Sequence, residues 1–124
     1  MIVRVWQLIG WLGLALTLAV SLGPPTLDEG SSHSDKLVHL LGYGALMFWW
    51  AQLIVTRRWR LALAVTLFGC AIEGLQSLTP DRLADAADAL ANVTGVALGW
   101  GAARLLPNLP ARLAALSPIR NSRL

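Results

Sequence analysis

Asp35, His39 and Tyr43 recur at i, i+4 and i+8, a spacing that puts all three on one face of a helix. Glu73 and Gln76 share a face one turn apart, and Asp88 and Asn92 share another. Carboxylates, an imidazole, a phenol and amides are the groups that move protons or hold a polar head group. His39 is suited to proton transfer, because a free imidazole titrates near pH 6.5. Glu73 stands within an apolar run, where it has no capping role, so it is the carboxylate such chemistry would use. Glu73 and His39 are therefore the candidate catalytic acid–base pair. Asp35, Lys36, Tyr43, Gln76, Arg82, Asp88 and Asn92 are the candidate ligand-binding groups, with the planar fork of Arg82 suited to phosphate or carboxylate.

Each of these residues also has a plainer role. Asp35 and Asp88 stand where helices begin, and an acid there caps the helix or meets the positive end of its dipole. Lys36 can mark a membrane interface and pair with an acid. Arg82 can pair with Asp81 or Asp85, and Tyr43 suits an interface. His39 can be a hydrogen-bonded core histidine. Gln76 and Asn92 can join helices, at about 0.6–2 kcal/mol per bond between membrane helices. Glu73 can form a structural ion pair with Lys36, Arg82 or His39.

His39, Glu73 and Asp88 are metal-donor types, and His33 is nearby, but no H-E-x-x-H or comparable local spacing is present. The sequence thus predicts neither a metal nor a cofactor. The single cysteine, Cys70, permits no disulfide framework and reads as a small buried hydrophobe. Ser77 and Thr79 are near Glu73, but no G-x-S-x-G nucleophile motif or phosphate-binding P-loop occurs.

The elements that must position these groups follow from composition. The chain has 124 residues, 56% of them apolar and 14% charged. Its mean hydropathy is +0.58. Soluble domains carry about 25% charged residues, so a membrane protein is expected. The net charge of +3 does not indicate nucleic acid, because the basic residues flank apolar stretches and form no face with aromatics between. A span needs about 20 mostly apolar residues. Four segments approximate this, at about 5–22, 37–56, 61–78 and 89–106, so the expected fold is an all-α, four-helix transmembrane bundle. Residues 1–106 form its membrane domain and 107–124 a basic tail. The tail has two readings: short amphipathic turns over 111–116 on the membrane surface, or disorder.

Eight of the ten Lys and Arg residues (Arg4, Arg57, Arg58, Arg60, Arg104, Arg112, Arg120 and Arg123) fall on one side of this arrangement. That side should be cytoplasmic, with both termini. Lys36, Arg82 and six acids fall on the other. Trp6, Trp49, Trp50, Trp59 and Trp100 map to the inner half, as an interfacial belt would. The first span is also readable as a signal peptide ending near Ala19-Val20-Ser21, although its apolar stretch is long for one.

In this arrangement three helices carry polar faces at their outer ends. Ionisable groups in the apolar layer are expensive unless they meet each other or water. The expected solution is one shared cluster lining an outward-facing cavity, with His39 at the depth of Gln76 and Tyr43 at the depth of Glu73. Gly95 and Gly99 form a GxxxG motif below Asp88 and Asn92, which would let a neighbouring helix approach closely.

The ordered series Asp35-Lys36-x-x-His39, Tyr43, Glu73-x-x-Gln76, Arg82, Asp88-x-x-x-Asn92-x-x-Gly95 resembles the VanZ-like family. The resemblance covers about residues 35–99. It implies a small integral membrane protein of about four helices in the bacterial cytoplasmic membrane, and the family's namesake is linked to teicoplanin resistance. On this reading the polar site binds a cell-envelope amphiphile (a lipid-linked precursor, phospholipid or lipoglycopeptide), and whether it alters that amphiphile is left open. Two other readings stand beside it. One is a structural or interaction subunit of a membrane complex, whose polar cluster only fastens the bundle. The other is a proton or ion pathway, disfavoured because ionisable residues do not continue through the inner half of the spans.

Overall fold

The computed structural model describes residues 1–23, 32–80 and 85–116, with the side chains of residues 32 and 33 outside that description. All regular structure among these residues is helical: α1 (Ile2–Leu22), α2 (Ser32–Ala51), α3 (Arg58–Gln76), α4 (Ala86–Leu105) and α5 (Leu109–Leu116). Two helical segments are long and apolar enough to cross a membrane, Ile2–Leu22 and Ala86–Leu116. Large apolar side chains cover the outside, including Leu8, Trp11, Leu16, Leu41, Leu67 and Leu98. Water does not favour such a surface, whereas lipid tails do.

Local chemistry sets the helix limits. Asp85 caps α4 by accepting from the Ala87 amide at 2.8 Å, and Asp88 adds negative charge to the first turn. Pro107 lies just past the end of α4, where the residue before a proline is pushed out of helical geometry. Asn108 then turns the chain at φ 55°, a left-handed conformation that Asn tolerates. α2 stops at Ala51, short of the expected limit at residue 56. The chain must reverse there, and the Arg58 Nε donates to the Ala51 carbonyl at 3.1 Å, at the helix end where carbonyls lose their intrahelical partners. The tail forms a helix over Leu109–Leu116, with Pro110 tolerated in its first turn and buried.

Contacts fix the helix directions. Trp6 of α1 meets Trp49 of α2, so these two helices run antiparallel. His39 and Tyr43 of α2 meet Glu73 and Gly69 of α3 in descending order, so these two are antiparallel as well. α2 and α4 run parallel: Leu40 faces Gly95, and Gly44 faces both Gly95 and Gly99. This seam is very close. A Cβ at Gly95 would collide with the Leu40 carbonyl oxygen, and one at Gly99 with the Gly44 carbonyl oxygen. The GxxxG motif therefore packs α4 on α2, and Gly44 is the complementary gap on the facing helix.

The core lies along this seam and includes Tyr43, Leu46, Met47, Ala51, Val65, Val96 and Ala103. α3 adds Ala62, Val65, Gly69, Ile72, Glu73 and Gln76 as its buried face. Cys70 is exposed, contrary to its reading as a buried hydrophobe. One residue of helix rotates the side chain by about 100°, which carries Cys70 off the face that Gly69 occupies.

At the end of the bundle holding Arg58 and Leu105, tryptophans organise the packing. Trp6 and Trp49 stack with centroids 3.9 Å apart. Each indole N–H donates to the other residue's carbonyl, at 3.2 and 2.8 Å. Gly10 is the buried residue of α1, and its missing side chain leaves room for Trp49 and Trp50. Arg60 and Arg104 lie over the rings of Trp59 and Trp100, an arrangement that attracts a cation to the ring face.

Candidate functional site

The opposite end, where α2 and α4 begin, gathers most of the polar residues singled out in the sequence. α2 supplies Asp35, Lys36, His39 and Tyr43 from one face. α3 supplies Glu73, and α4 supplies Asp88 and Asn92, with Asp85 just before it. His39 is the hub. Its Nδ1 lies 3.0 Å from Asn92 Oδ1 and 3.8 Å from Glu73 Oε1, and its Nε2 lies 3.8 Å from Asp35 Oδ1. A separation of 3.8 Å exceeds a hydrogen bond, so His39 is bonded to Asn92, with Glu73 beyond it. An amide oxygen only accepts, so in this contact Nδ1 is the donor, and Nε2 faces Asp35.

Lys36 forms the outer wall. Its Nζ is 3.1 Å from Asp85 Oδ2 and 3.7 Å from Asp88 Oδ1. The Ala87 amide and the Lys36 ammonium together hold the Asp85 carboxyl below its ordinary range. Exposure falls steeply inward. The Asp35 side chain is 60% exposed, whereas those of His39 and Glu73 are each 11% exposed. The site is thus reached from the helix ends and closes toward Tyr43.

Tyr43 forms the floor, with its ring parallel to His39 and tilted against Phe68. Gly69 makes room for it: a Cβ there would lie 3.0 Å from Tyr43 Cε1 and 3.1 Å from Asn92 Nδ2. Tyr43 Oη, Glu73 Oε1, Asp88 Oδ1 and Asn92 Nδ2 are all buried and make no hydrogen bond among the described residues, with Lys36 Nζ 3.7 Å from Asp88 Oδ1 and His39 Nδ1 3.8 Å from Glu73 Oε1. An unpaired buried polar group costs about 1–3 kcal/mol. Four such atoms in one place concentrate unused hydrogen-bonding capacity at this end of the bundle.

The structure changes three particulars of the sequence reading. His39 meets Glu73 rather than Gln76, and Tyr43 packs at Gly69 rather than at Glu73, so α3 is displaced by about one turn. Gln76 therefore leaves the cluster and donates from Nε2 to the Ser21 carbonyl of α1 at 2.7 Å. Arg82 lies outside the described residues. Three residues escaped the sequence reading. Gly44 and Gly69 create the close approaches around the site, and Gly69 could have been noticed one turn before Glu73 on the same face. Gln52 is 1% exposed at the far end, where its Oε1 accepts from the Leu109 amide at 2.9 Å. It falls within the expected span over 37–56, where an amide in an apolar run was the signal that could have found it.

Searches of curated proteins and of solved structures give no significant match. A family model described as VanZ/LLP1 matches residues 5–107, which takes in α1 through α4 and every described residue of the cluster, and the chain belongs to the VanZ/LLP1 family.

Proposed function

We propose that this VanZ-family protein binds a cell-envelope amphiphile at the polar cluster. Family membership and two apolar helices point to a membrane protein. The finer reading is a four-span protein of the bacterial cytoplasmic membrane with both termini inside and the cluster in the outer leaflet. The carrying observation is the set of buried polar atoms on Tyr43, Glu73, Asp88 and Asn92 that make no hydrogen bond among the described residues. A hydrogen-bonding head group would satisfy them, and its tail would lie along the apolar helix faces. Lipid-linked wall precursors, phospholipids and lipoglycopeptides share that build.

Should the bound molecule also react, Glu73 and His39 are the acid–base candidates. They are 3.8 Å apart with Asn92 holding the imidazole, so a shift of about 1 Å would bring them into direct hydrogen-bond contact. The test is teicoplanin susceptibility of a sensitive Gram-positive host carrying wild type or Glu73→Gln, at matched membrane abundance. Protection by wild type and none by the variant supports the reading. No protection by either removes the link to glycopeptides, and lipids co-purifying with the two proteins then decide whether any amphiphile is held.

A second reading has its own support. Lys36 ties α2 to α4, and Gln76 ties α3 to α1. Both contacts fasten helices, as a structural subunit of a membrane complex would require. Full function of Glu73→Gln, with one stable protein co-purifying, favours this alternative.

A further inference from the structure

Four carboxylates surround the cluster, those of Asp35, Glu73, Asp85 and Asp88, and among the described residues one ammonium, Lys36, answers them. Negative charge gathered at a partly buried site calls for a further cation. The geometry says where one fits. One ligand atom from each of Asp35, His39 and Asp88 lies within 4.8 Å of the others. Bonds of about 2.1 Å at tetrahedral angles place two ligands of one ion about 3.4 Å apart, so the groups must draw in by up to about 1.4 Å, a shift within reach of side-chain rotation at the exposed Asp35.

Two independent observations aim these groups at a ligand. Asp88 is 9% exposed, and its Oδ1 is buried and makes no hydrogen bond among the described residues, the Lys36 ammonium standing off at 3.7 Å. The His39 Nδ1 is occupied by Asn92 Oδ1 at 3.0 Å, with Glu73 behind it, which leaves Nε2 facing Asp35. A metal-binding histidine is held in the same way, its second nitrogen donating to an oxygen that fixes ring and tautomer.

We propose that Asp35, the Nε2 of His39 and Asp88 bind one divalent cation. One imidazole and two carboxylates suit a borderline ion such as Zn²⁺ or Mn²⁺. Three protein ligands leave coordination positions free for water or an anionic head group. The cation offsets the carboxylates that would otherwise repel an anionic head group, and with both His39 nitrogens then engaged, Glu73 alone of the acid–base candidates stays available for proton transfer. Its test needs no lipid, so it stands or falls independently of that reading. The local motif that normally betrays such a site is missing because the ligands come from two helices, Asp35 and His39 on α2 and Asp88 on α4.

The experiment is an optical titration of tag-free, detergent-solubilised protein with Co²⁺, followed by displacement with Zn²⁺. Helix content of each variant is checked by circular dichroism. The expected result is one Co²⁺ per chain with visible d–d bands that Zn²⁺ abolishes. His39→Ala and Asp88→Asn should lose the bands, and Asp35→Asn should bind at least about tenfold more weakly. Asp85→Asn, outside the ligand set, should keep them. Asp35 is exposed on the first turn of α2, so its variant decides the matter if the other two misfold. Absence of saturable Co²⁺ binding in wild type overturns the proposal. So does unchanged binding in Asp35→Asn, or a loss in Asp85→Asn equal to that in Asp35→Asn, which would reveal diffuse attraction to acids.

Discussion

The two ends of this helical bundle use polar groups in opposite ways. At the tryptophan end, the indoles of Trp6 and Trp49 each donate to the other residue's carbonyl, and Gln52 Oε1 accepts from the Leu109 amide. One buried polar atom there, Gln52 Nε2, lacks a partner among the described residues. At the end where α2 and α4 begin, four do. The first end is organised as a fastening. The second leaves buried groups without hydrogen bonds among the described residues, and in a packed bundle that is sustained only if the rest of the fold holds the helices regardless. The α2–α4 glycine seam, running between the two ends, does that holding.

The seam should therefore show the largest effect of any substitution. Gly99→Leu would drive a side chain into the Gly44 carbonyl oxygen, a backbone atom that cannot swing aside. A destabilisation of about 3 kcal/mol or more is expected from overpacking of this kind. Thermal unfolding in detergent, with membrane abundance in cells, measures it. A stable Gly99→Leu protein would mean that the two ends are held by something other than the seam.

Much of this was legible from residue spacing, and the reason is geometric. Helical periodicity decides which residues share a face, so Asp35, His39 and Tyr43 could be aligned on α2, and Asp88 and Asn92 on α4. It does not decide how far one helix slides along another. That offset is set by contacts distant in sequence, such as Gly95 against Leu40 and Gln76 against Ser21, and so the pairing of α2 with α3 was off by one turn. Cys70 shows the same limit within one helix. Hydropathy places it in an apolar run, but only the packing of Gly69 and Glu73 says which side of α3 is interior. Gly44 has no chemical signature of its own, and it matters because of what lies opposite; the amide of Gln52 stands out in the expected span over 37–56, but its partner, the Leu109 amide, is distant in sequence.

Glu73→Gln separates the two ends most directly. The glutamine keeps the shape and some hydrogen bonding, so the folded bundle should survive within about 1 kcal/mol. Its effect should fall on function instead, with retention of the bound amphiphile lowered at least about tenfold, which corresponds to about 1.4 kcal/mol. Unfolding curves and lipid extraction from the same preparation give both readings. A variant that unfolds while still retaining lipid would reverse the assignment of roles to the two ends.

Trp49→Phe is the converse. It removes the 2.8 Å hydrogen bond to the Trp6 carbonyl while keeping an aromatic ring for stacking. A loss of about 0.5–1.5 kcal/mol is expected, with Co²⁺ and amphiphile binding unchanged. Binding that weakens in step with stability would show that the two ends are coupled and that the comparison is one of degree.

The smallest effect belongs to the exposed rim of the site. Asp85 is held below its ordinary carboxylate range by the Ala87 amide and by Lys36. A depressed folded-state pKa contributes stability above the unfolded value, about 3.9. That contribution fades as pH falls through the folded pKa, below which Asp85 is protonated in both states. In Asp85→Asn the helix cap is retained, since Asn caps about as well as Asp, so what disappears is the charge facing Lys36. Melting temperatures of wild type and Asp85→Asn should differ slightly at pH 6 and converge at acid pH, once the carboxyl is protonated. High salt should narrow the pH 6 difference, because a solvent-exposed pair is screened. A gap that is indifferent to both pH and salt would place the role of Asp85 in shape rather than charge. Lys36 would then be held at the rim by Asp88, and the boundary between the fastened and the open part of this end would move inward by one residue.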